Sequence, residues 1–244
     1  MGLDGRRALV TGGTSGIGRA TAEALAAEGV HVIVSGRDER RGAEVLESIR
    51  GAGGDAEFVV ADLSSPQEVR ALAVAAGVLD ILVNNAGLFP LGPTHELSEE
   101  IFDEVFAVNV KAPFLLVAAI APRMVARGRG SIVNVTSIAG ALGLGDLSAY
   151  GASKAALGLL TKAWAVEYAD GGVRVNAVQP GLVLTPGTTV WGDATLEQIS
   201  QTVPLRRPGE PAEVARAVAF LASDHASYIT GAIMSVDGGR AAVL

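Results

Sequence analysis

A tyrosine and a lysine four residues apart, Tyr150 and Lys154, are the side chains of this sequence best suited to chemistry. On a helix this spacing places both side chains on one face, so the phenol and the ammonium would share the same space. A nearby cation stabilises a phenolate and lowers its pKa from the usual value of about 10. We therefore expect Tyr150 to act as a general acid or base, with Lys154 lowering its pKa. The alternative is that the two side chains form an ordinary exposed pair on a helix, which has the same spacing and no function.

The composition excludes several classes of function. The chain has 244 residues, 49% of them hydrophobic and 18% charged, which predicts a sizeable folded core. Its net charge of −7 argues against nucleic-acid binding. With no cysteine, disulfides and thiolate catalysis are excluded, and three scattered histidines predict no metal site. No apolar run as long as a membrane span and no signal peptide are visible, so we expect a cytoplasmic protein without a membrane partner.

Short runs rich in β-branched residues alternate along the chain with longer helical patterns. The predicted strands are 8–10, 30–34, 56–60, 81–83, 131–135, 173–178 and 233–236. The predicted helices are about 16–28, 38–51, 65–76, 98–127, 148–169 and 211–223. This alternation predicts an α/β fold in which a seven-stranded parallel sheet carries helices on both faces. No linker or repeat divides residues 1–244, so we expect a single domain with a substrate lid at about 182–207, where Thr195 could open a short helix.

A glycine-rich turn, Thr11–Gly18, follows the first predicted strand and opens the first predicted helix. Glycines allow the backbone to approach a ligand closely, and the free N–H groups of a helix N-terminus attract phosphate. This placement predicts a doubly wound, Rossmann-type dinucleotide fold. A glycine-rich turn that binds nothing is the alternative. The residues expected to contact the cofactor here are Gly12, Thr14, Ser15, Gly16, Ile17 and Gly18.

The ends of the second and third predicted strands indicate which dinucleotide is bound. An acidic residue after the second strand would hold a ribose 2′-hydroxyl, whereas an arginine suits a 2′-phosphate. Gly36 and Arg37 stand there, so NADP(H) is preferred and NAD(H) is possible, unless Arg37 merely pairs with Asp38 or Glu39. After the third strand, Asp62 and Leu63 are expected to contact the adenine side. A helix-cap role is equally open for Asp62.

Asn109 stands in the middle of the predicted helix 98–127, where asparagine is a poor helix former. Pro113 follows four residues later and has no N–H, so the carbonyl of Asn109 loses its usual helical partner. We expect the helix to kink there and that carbonyl to be free to bind water. A kink that serves packing alone is the alternative.

Taken together, these motifs resemble the classical short-chain dehydrogenase/reductase family. The matching residues are Thr11 to Gly18, Asp62, Asn84 to Gly87, Asn109, Ser137, Tyr150 to Lys154, Pro180 and Gly181. The C-terminal third, at 203–211, 220–224 and 236–239, looks most like the 3-oxoacyl-carrier-protein reductase branch. The same ending is widespread among sugar, polyol and steroid dehydrogenases, so it says little about the substrate.

The resemblance implies an oxidoreductase that interconverts a ketone and a secondary alcohol. Tyr150 would exchange the proton, Ser137 would donate a hydrogen bond to the substrate oxygen, and Lys154 would hold the nicotinamide ribose. Asn109 would support a water-linked proton relay to the lysine. The remaining cofactor contacts implied by the family are Asn85 nearest the ribose, with Ala86, Gly87, Pro180, Gly181, Val183 and Thr185.

The segments expected to form the substrate pocket are mostly apolar. They are 88–91, 138–144, 181–184 and the lid near Trp191, and none contains an arginine. We therefore favour a hydrophobic or acyl-type ketone over a small polyacid. Sugar, polyol or steroid substrates are alternatives. A cofactor-binding regulator without activity is a further one, which intact Ser137, Tyr150 and Lys154 argue against.

The helical segments 98–127 and 148–169 are apolar on more than one face. A helix of this kind is buried on two sides, against its own sheet and against a partner. We therefore expect a homo-oligomer, a dimer through a four-helix contact or a tetramer. The apolar residues 241–244 could form a second interface.

Overall fold

The computed structural model describes residues 1–243. Seven parallel strands form one sheet in the order β3-β2-β1-β4-β5-β6-β7. The strands are β1 Arg7–Thr11, β2 His31–Gly36, β3 Asp55–Val60, β4 Ile81–Asn84, β5 Gly130–Val135, β6 Val173–Pro180 and β7 Ile233–Val236. The helices are α1 Gly16–Ala27, α2 Glu39–Gly51, α3 Pro66–Ala75, α4 Glu99–Phe106, α5 Ala112–Val125, α6 Ser148–Tyr168, α7 Asp193–Ser200 and α8 Pro211–Ala222.

Helices cover both faces of the sheet, which confirms the predicted doubly wound α/β class. On one face, residues of α1, α2 and α8 pack with Val10, Val32 and Val83 into a first core. On the other face, residues of α3, α5 and α6 pack with Leu9 and Leu82 into a second core. Alternate strand residues point to opposite faces, so β1 and β4 contribute to both cores.

The strand order reverses between β1 and β4. The chain first builds outward from β1 through β2 to β3, then crosses to β4 and builds the other half through β7. Loops leaving the carboxyl ends of β1 and β4 therefore turn in opposite directions, and a crevice opens between them. The glycine-rich turn follows β1 and the segment Asn85 to Gly87 follows β4, so both border this crevice.

The predicted continuous helix 98–127 is wrong in one respect, because a π turn over Ala107–Lys111 separates α4 from α5. Within it the N–H of Ala112 donates to the carbonyl of Ala107, five residues back. Pro113 supplies no N–H for the normal pattern, so the ladder changes register here. The extra residue in this turn places Asn109 in the protein interior, where its side chain is fully buried.

The predicted lid, 182–207, is more ordered than an irregular loop. It contains a short 3-10 turn at Thr189–Trp191 and the helix α7, which begins two residues before the predicted start at Thr195. Gly192, at a φ of 79°, precedes this helix and allows the sharp change of direction. Near the start of the segment, Val183 forms an isolated parallel β-bridge with Gly209.

One expectation about membranes needs correction. Within residues 1–243, the helical stretch Glu99–Val125 is long and apolar enough to cross a membrane by length and composition, although no such run was expected. Leu116, Ile120 and Met124 of this stretch are fully buried in the second core, and the core helix of a soluble protein passes the same test. Of the predicted second interface at 241–244, Leu244 lies outside the described residues.

Leu82 in β4 tests the central packing of the sheet. We expect Leu82→Ala to lower the free energy of unfolding by about 2–5 kcal/mol, because the fully buried side chain would leave a cavity next to α5. The control is Val74→Ala, where the side chain is 69% exposed and the change should stay within about 0.5 kcal/mol. Urea unfolding followed by circular dichroism measures both, and equal losses would contradict this packing.

Candidate active site

A cavity of about 800 Å³ lies at the carboxyl ends of the strands. Its wall includes Ser137 and every predicted cofactor residue, which are Gly12, Thr14, Ser15, Gly16, Ile17, Gly18, Arg37, Asp62, Leu63, Asn85, Ala86, Gly87, Tyr150, Lys154, Pro180, Gly181, Val183 and Thr185. The fold thus brings the glycine-rich loop and Tyr150, the proposed acid/base group, to the wall of the same cavity. Asn109 alone among the predicted site residues does not line it.

The glycine-rich loop is shaped by contacts that exclude side chains. Gly12 has a φ of 62°, and a Cβ there would lie 2.8 Å from the Cα of Ala86. At Gly18 a Cβ would lie 2.2 Å from the carbonyl oxygen of Gly12. No side chain fits at such distances, so these two glycines allow the loop to turn tightly against the segment that follows β4.

Hydrogen bonds from the β4 end brace this loop. The Asn85 Nδ2 donates to the carbonyls of Thr11 and Gly12, at 2.9 and 3.1 Å. In return the Thr11 hydroxyl accepts from the backbone N–H of Asn85 at 3.0 Å. The amide of Asn85, expected to lie nearest the ribose, is thus already engaged in holding the loop. Its contact with the ribose stays a prediction.

The N-terminus of α1 has the properties of an anion site. Ser15 is its N-cap residue, yet its side chain accepts no capping hydrogen bond from the first turn within residues 1–243. No acidic residue stands in that turn. The N–H groups of Ile17 and Gly18 therefore face the cavity with the positive end of the helix dipole behind them. These donors fit the pyrophosphate of a dinucleotide.

The arginines after β2 are placed for a further phosphate. Asp38 caps α2 by accepting from the N–H of Arg41 at 3.0 Å, and its side chain pairs with the Arg41 guanidinium at 3.3 Å. The alternative pairing of Arg37 with Asp38 or Glu39 is not found, and Arg37 makes no ion pair with any described residue. Arg41, which sequence reasoning did not name, lines the cavity beside Arg37. Arg41 follows Arg37 by four residues, about one helical turn, and this spacing was the sequence signal that could have identified it.

The side chain of Asp62 is held in place by Ser64 and does not cap a helix. Its Oδ1 accepts from the N–H and the hydroxyl of Ser64, both at 2.9 Å, and these bonds lower the pKa of the carboxyl. The cap of α3 is Ser65 instead, which accepts from the N–H of Glu68. The carboxylate is therefore ionised and fixed in orientation on the adenine side of the predicted cofactor site.

A close contact between a turn and α6 sets Ser137 opposite Tyr150. The turn Ile138–Gly140 follows Ser137 directly, and a Cβ on Gly140 would lie 2.8 Å from the backbone of α6. On the helix side, a Cβ on Gly151 would lie 2.6 Å from the Ala139 carbonyl. The two glycines thus let β5 and α6 approach until the serine hydroxyl reaches the phenol. Gln179, unnoticed in the sequence, donates to the Ser137 carbonyl at 3.1 Å.

Lys154 is almost fully buried behind the tyrosine. Its Nζ donates to the carbonyl of Val135 at 2.8 Å and lies 5.8 Å from the centroid of the Tyr150 ring. Gly87 leaves room for it, since a Cβ there would lie 3.2 Å from Nζ. The predicted helical spacing thus brings phenol and ammonium together on one face.

The expected lowering of the Tyr150 pKa by Lys154 is not found. Burial raises the pKa of the phenol, and the Ser137 hydroxyl, which lowers it, has the smaller effect. Burial also lowers the pKa of Lys154 to about 8, so the lysine stays mostly protonated at neutral pH and loses its charge at a lower pH than an exposed lysine. A raised pKa keeps Tyr150 protonated, which suits a proton donor.

Asn109 supports the site from behind. Its Oδ1 accepts from the N–H of Leu88 and its Nδ2 donates to the Leu88 carbonyl, both at 2.8 Å. The same Nδ2 donates to the Ser153 hydroxyl at 2.9 Å, which in turn donates to the Tyr150 carbonyl at 2.7 Å. Asn109 therefore ties the loop after β4 to the helix that carries Tyr150. The predicted relay through its carbonyl stays a prediction.

Beyond Tyr150 the cavity is mainly apolar. Phe89 packs edge-on against the rings of Tyr150 and Trp191, with centroids 6.0 and 6.3 Å apart. Of the predicted pocket segments, Pro90, Leu91, 140–143 and Leu184 do not line the cavity. Gln198, Ile199, Thr202 and Val203 of the predicted lid line the cavity, and Leu147 and Arg240 are lining residues that sequence reasoning missed. The predicted pocket segments contain no arginine, but Arg240, which follows β7, lines the same cavity.

Comparisons with known proteins identify the family of this chain. The family model described as enoyl-(acyl carrier protein) reductase matches residues 12–241. A solved structure of a short chain dehydrogenase/reductase family protein is 48% identical, with a TM-score of 0.91 and full coverage of both chains. The cyclohexanol dehydrogenase of an Acinetobacter species is 41% identical over 95% of this chain and 93% of its own.

A further solved structure includes the cofactor. The gluconate 5-dehydrogenase of Burkholderia cenocepacia, in complex with NADP and tartrate, is 32% identical with a TM-score of 0.93. The alignment covers 100% of this chain and 98% of that one. The family model and these matches together cover nearly the whole chain, and the chain belongs to the short-chain dehydrogenase/reductase family of oxidoreductases.

Proposed function

We propose that this protein is an NADP(H)-dependent oxidoreductase that interconverts an apolar ketone and its secondary alcohol. The observation that carries the proposal is the convergence of Ser137, Tyr150 and Lys154 on a cavity that begins at the glycine-rich loop. An acid/base group and a phosphate site in one cavity are what hydride transfer from a dinucleotide requires.

The proton is handled by the chain itself. In ketone reduction, the hydroxyls of Ser137 and Tyr150 donate to the carbonyl oxygen and stabilise the charge that develops on it. Tyr150 then gives up its proton, and Lys154, whose Nζ is held by the Val135 carbonyl, would bind the nicotinamide ribose. The bound cofactor supplies or accepts the hydride. In alcohol oxidation the same groups act in reverse.

The apolar wall supports a hydrophobic substrate. An apolar surface that could contact a hydrocarbon group lines the cavity that also holds the phenol. It is formed by Leu88, Phe89, Leu144, Leu147 and Trp191. The related cyclohexanol dehydrogenase acts on a ring alcohol by its name, which favours a cyclic ketone as the first substrate to test. The related gluconate 5-dehydrogenase supports a polyol as the second candidate.

The lid and the cofactor preference belong to the same proposal. Segment 182–207 would cover the substrate, since Trp191 reaches Phe89 and a Cβ on Gly16 would lie 3.1 Å from Thr185. Arg37 and Arg41 would bind a ribose 2′-phosphate and favour NADP(H) over NAD(H). A cytoplasmic location suits a chain without cysteine.

Assembly into a homo-oligomer is also proposed. Leu159 and Val166 on α6 are 70% and 83% exposed, and Phe102 and Phe114 on the neighbouring α4 and α5 are about half exposed. Apolar side chains on adjacent helices favour a self-complementary contact between two copies, as in a four-helix interface.

The acid/base assignment is tested by Tyr150→Phe. We expect kcat for a cyclic ketone to fall by about 10²–10⁴-fold, because the phenol is the proton donor, while the Kd for NADP⁺ changes little. Absorbance of the reduced nicotinamide measures turnover, and fluorescence titration measures binding. The control is Tyr228→Phe, at a fully exposed tyrosine. Activity within tenfold of the unchanged protein would rule out the assignment.

The cofactor preference is tested by Arg37→Ala. The KM for NADPH should rise by about tenfold or more and the KM for NADH far less, because only NADPH carries the 2′-phosphate. Arg40→Ala is the matched control, since Arg40 is exposed, pairs with Glu44 and lies outside the cavity wall. Equal effects of Arg37→Ala on both cofactors would remove the 2′-phosphate role.

The interface is tested by Val166→Glu. A carboxylate at this position should lower the molecular mass in solution, measured by light scattering after gel filtration, because its burial against a second copy is unfavourable. Val74→Glu introduces the same charge at an exposed valine of α3 and should leave the mass unchanged. An unaltered mass for both variants would place the interface elsewhere.

A further inference from the structure

Arg240 is a cation that lines the cavity and has no ion-pair partner among residues 1–243. It lines the cavity in the turn Arg240–Ala242 that follows β7, and it is half-buried. Its guanidinium forms no ion pair or hydrogen bond with a side chain or carbonyl of residues 1–243. The guanidinium nitrogens keep contact with solvent, so a ligand that enters the cavity can replace this water with a charged partner.

The turn holds Arg240 in place and leaves its charge available. The Oδ1 of Asp237 accepts from the N–H of Gly239 at 2.9 Å, and its Oδ2 accepts from the N–H of Ala241 at 2.8 Å. The N–H of Arg240 donates to the Asp237 carbonyl at 3.1 Å. Both oxygens of the acid closest in sequence are thus engaged by the backbone, which fixes the turn without neutralising the arginine.

The lid packs directly on this turn. The N–H of Leu205 donates to the Gly238 carbonyl at 3.2 Å, and a Cβ on Gly239 would lie 3.1 Å from the Pro204 side chain. Thr202 and Val203, just before this contact, line the same cavity. Arg240 therefore borders the space between the lid and the sheet, where the substrate is proposed to bind.

The sheet separates Arg240 from the cofactor arginines. Arg37 follows β2 and Arg240 follows β7, five inter-strand spacings of about 4.8 Å apart, or about 24 Å. Ser137 follows β5, only two spacings from β7, or about 10 Å. Arg240 is thus too far away to share the proposed 2′-phosphate site and lies within one small molecule of the reacting groups.

We propose that Arg240 binds the carboxylate of a substrate that is an apolar oxo acid or hydroxy acid. The ketone would face Ser137 and Tyr150, the hydrocarbon body would lie along the apolar wall, and the carboxylate would pair with the guanidinium. A planar guanidinium matches a carboxylate through two parallel hydrogen bonds. One cation balances one carboxylate, whereas a doubly charged phosphate ester would keep an uncompensated charge in an apolar cavity. This inference rests on the proposed ketone–alcohol activity and names its substrate class.

The test uses two ketones that differ in charge and by one methyl group, 4-oxocyclohexanecarboxylate and its methyl ester. For the unchanged protein, kcat/KM should be higher for the acid. In Arg240→Met the ratio of kcat/KM for acid over ester should fall tenfold or more, mostly through a higher KM for the acid, because the lost pairing is present before and during reaction. Arg240→Lys should retain part of the ratio. Arg216→Met removes an exposed charge on α8 outside the cavity and controls for net charge.

A binding measurement separates this inference from the proposed activity. Cyclohexanecarboxylate has no ketone, and its Kd for the protein saturated with NADP⁺ can be measured by calorimetry without any turnover. Arg240→Met should weaken this binding at least tenfold relative to Arg216→Met. Equal Kd values, or an unchanged ratio of acid to ester, would overturn the role of Arg240. Carboxylate binding that depends on Arg240, with no reduction of either ketone, would instead contradict the proposed activity.

Discussion

The close approach of the loops after β1 and β4 is the constraint on which the rest of the site depends. Only a chain without side chains at Gly12 and Gly18 can bring the phosphate loop against Ala86. Asn85 then locks the approach by donating to two carbonyls that the tight turn leaves unpaired. Buried backbone groups must be paired, and the Asn85 side chain supplies partners for these two carbonyls. The loop is thereby fixed, and the backbone N–H groups of the loop remain available to a ligand in the cavity. The fold thus makes an anion site without using a positive side chain.

Burial decides the electrostatics of the reacting groups. In water, a lysine next to a tyrosine would favour the phenolate, yet here burial disfavours the charged form of both. The result is a neutral phenol that can donate a proton. The tightly packed glycines Gly140 and Gly151 make this arrangement possible because they set the separation of β5 and α6.

The features that sequence reasoning recovered are local or periodic. The strands, the glycine-rich turn and the Tyr150–Lys154 spacing follow from patterns a few residues long, and the strand–helix alternation predicts the parallel sheet. What it missed depends on tertiary contact. The burial of Asn109 against Leu88 and the raised pKa of Tyr150 both depend on how distant segments pack around these residues. Arg240 is far from every other site residue in sequence and joins them only because β7 pairs with β6.

The sheet orders these functions along one edge, because each strand ends at a different part of the cavity. Arg37 follows β2 at one side, the glycine-rich loop follows β1, Ser137 follows β5, and Arg240 follows β7 at the other side. The cavity thus has an arginine at each of its two ends. Between them lie an apolar surface and the proposed proton donor. A net charge of −7 therefore does not conflict with anionic ligands, since fixed local donors act over a few ångströms while distant surface charges are screened by salt. The spacing of the strands, rather than the overall charge, would determine which anions fit.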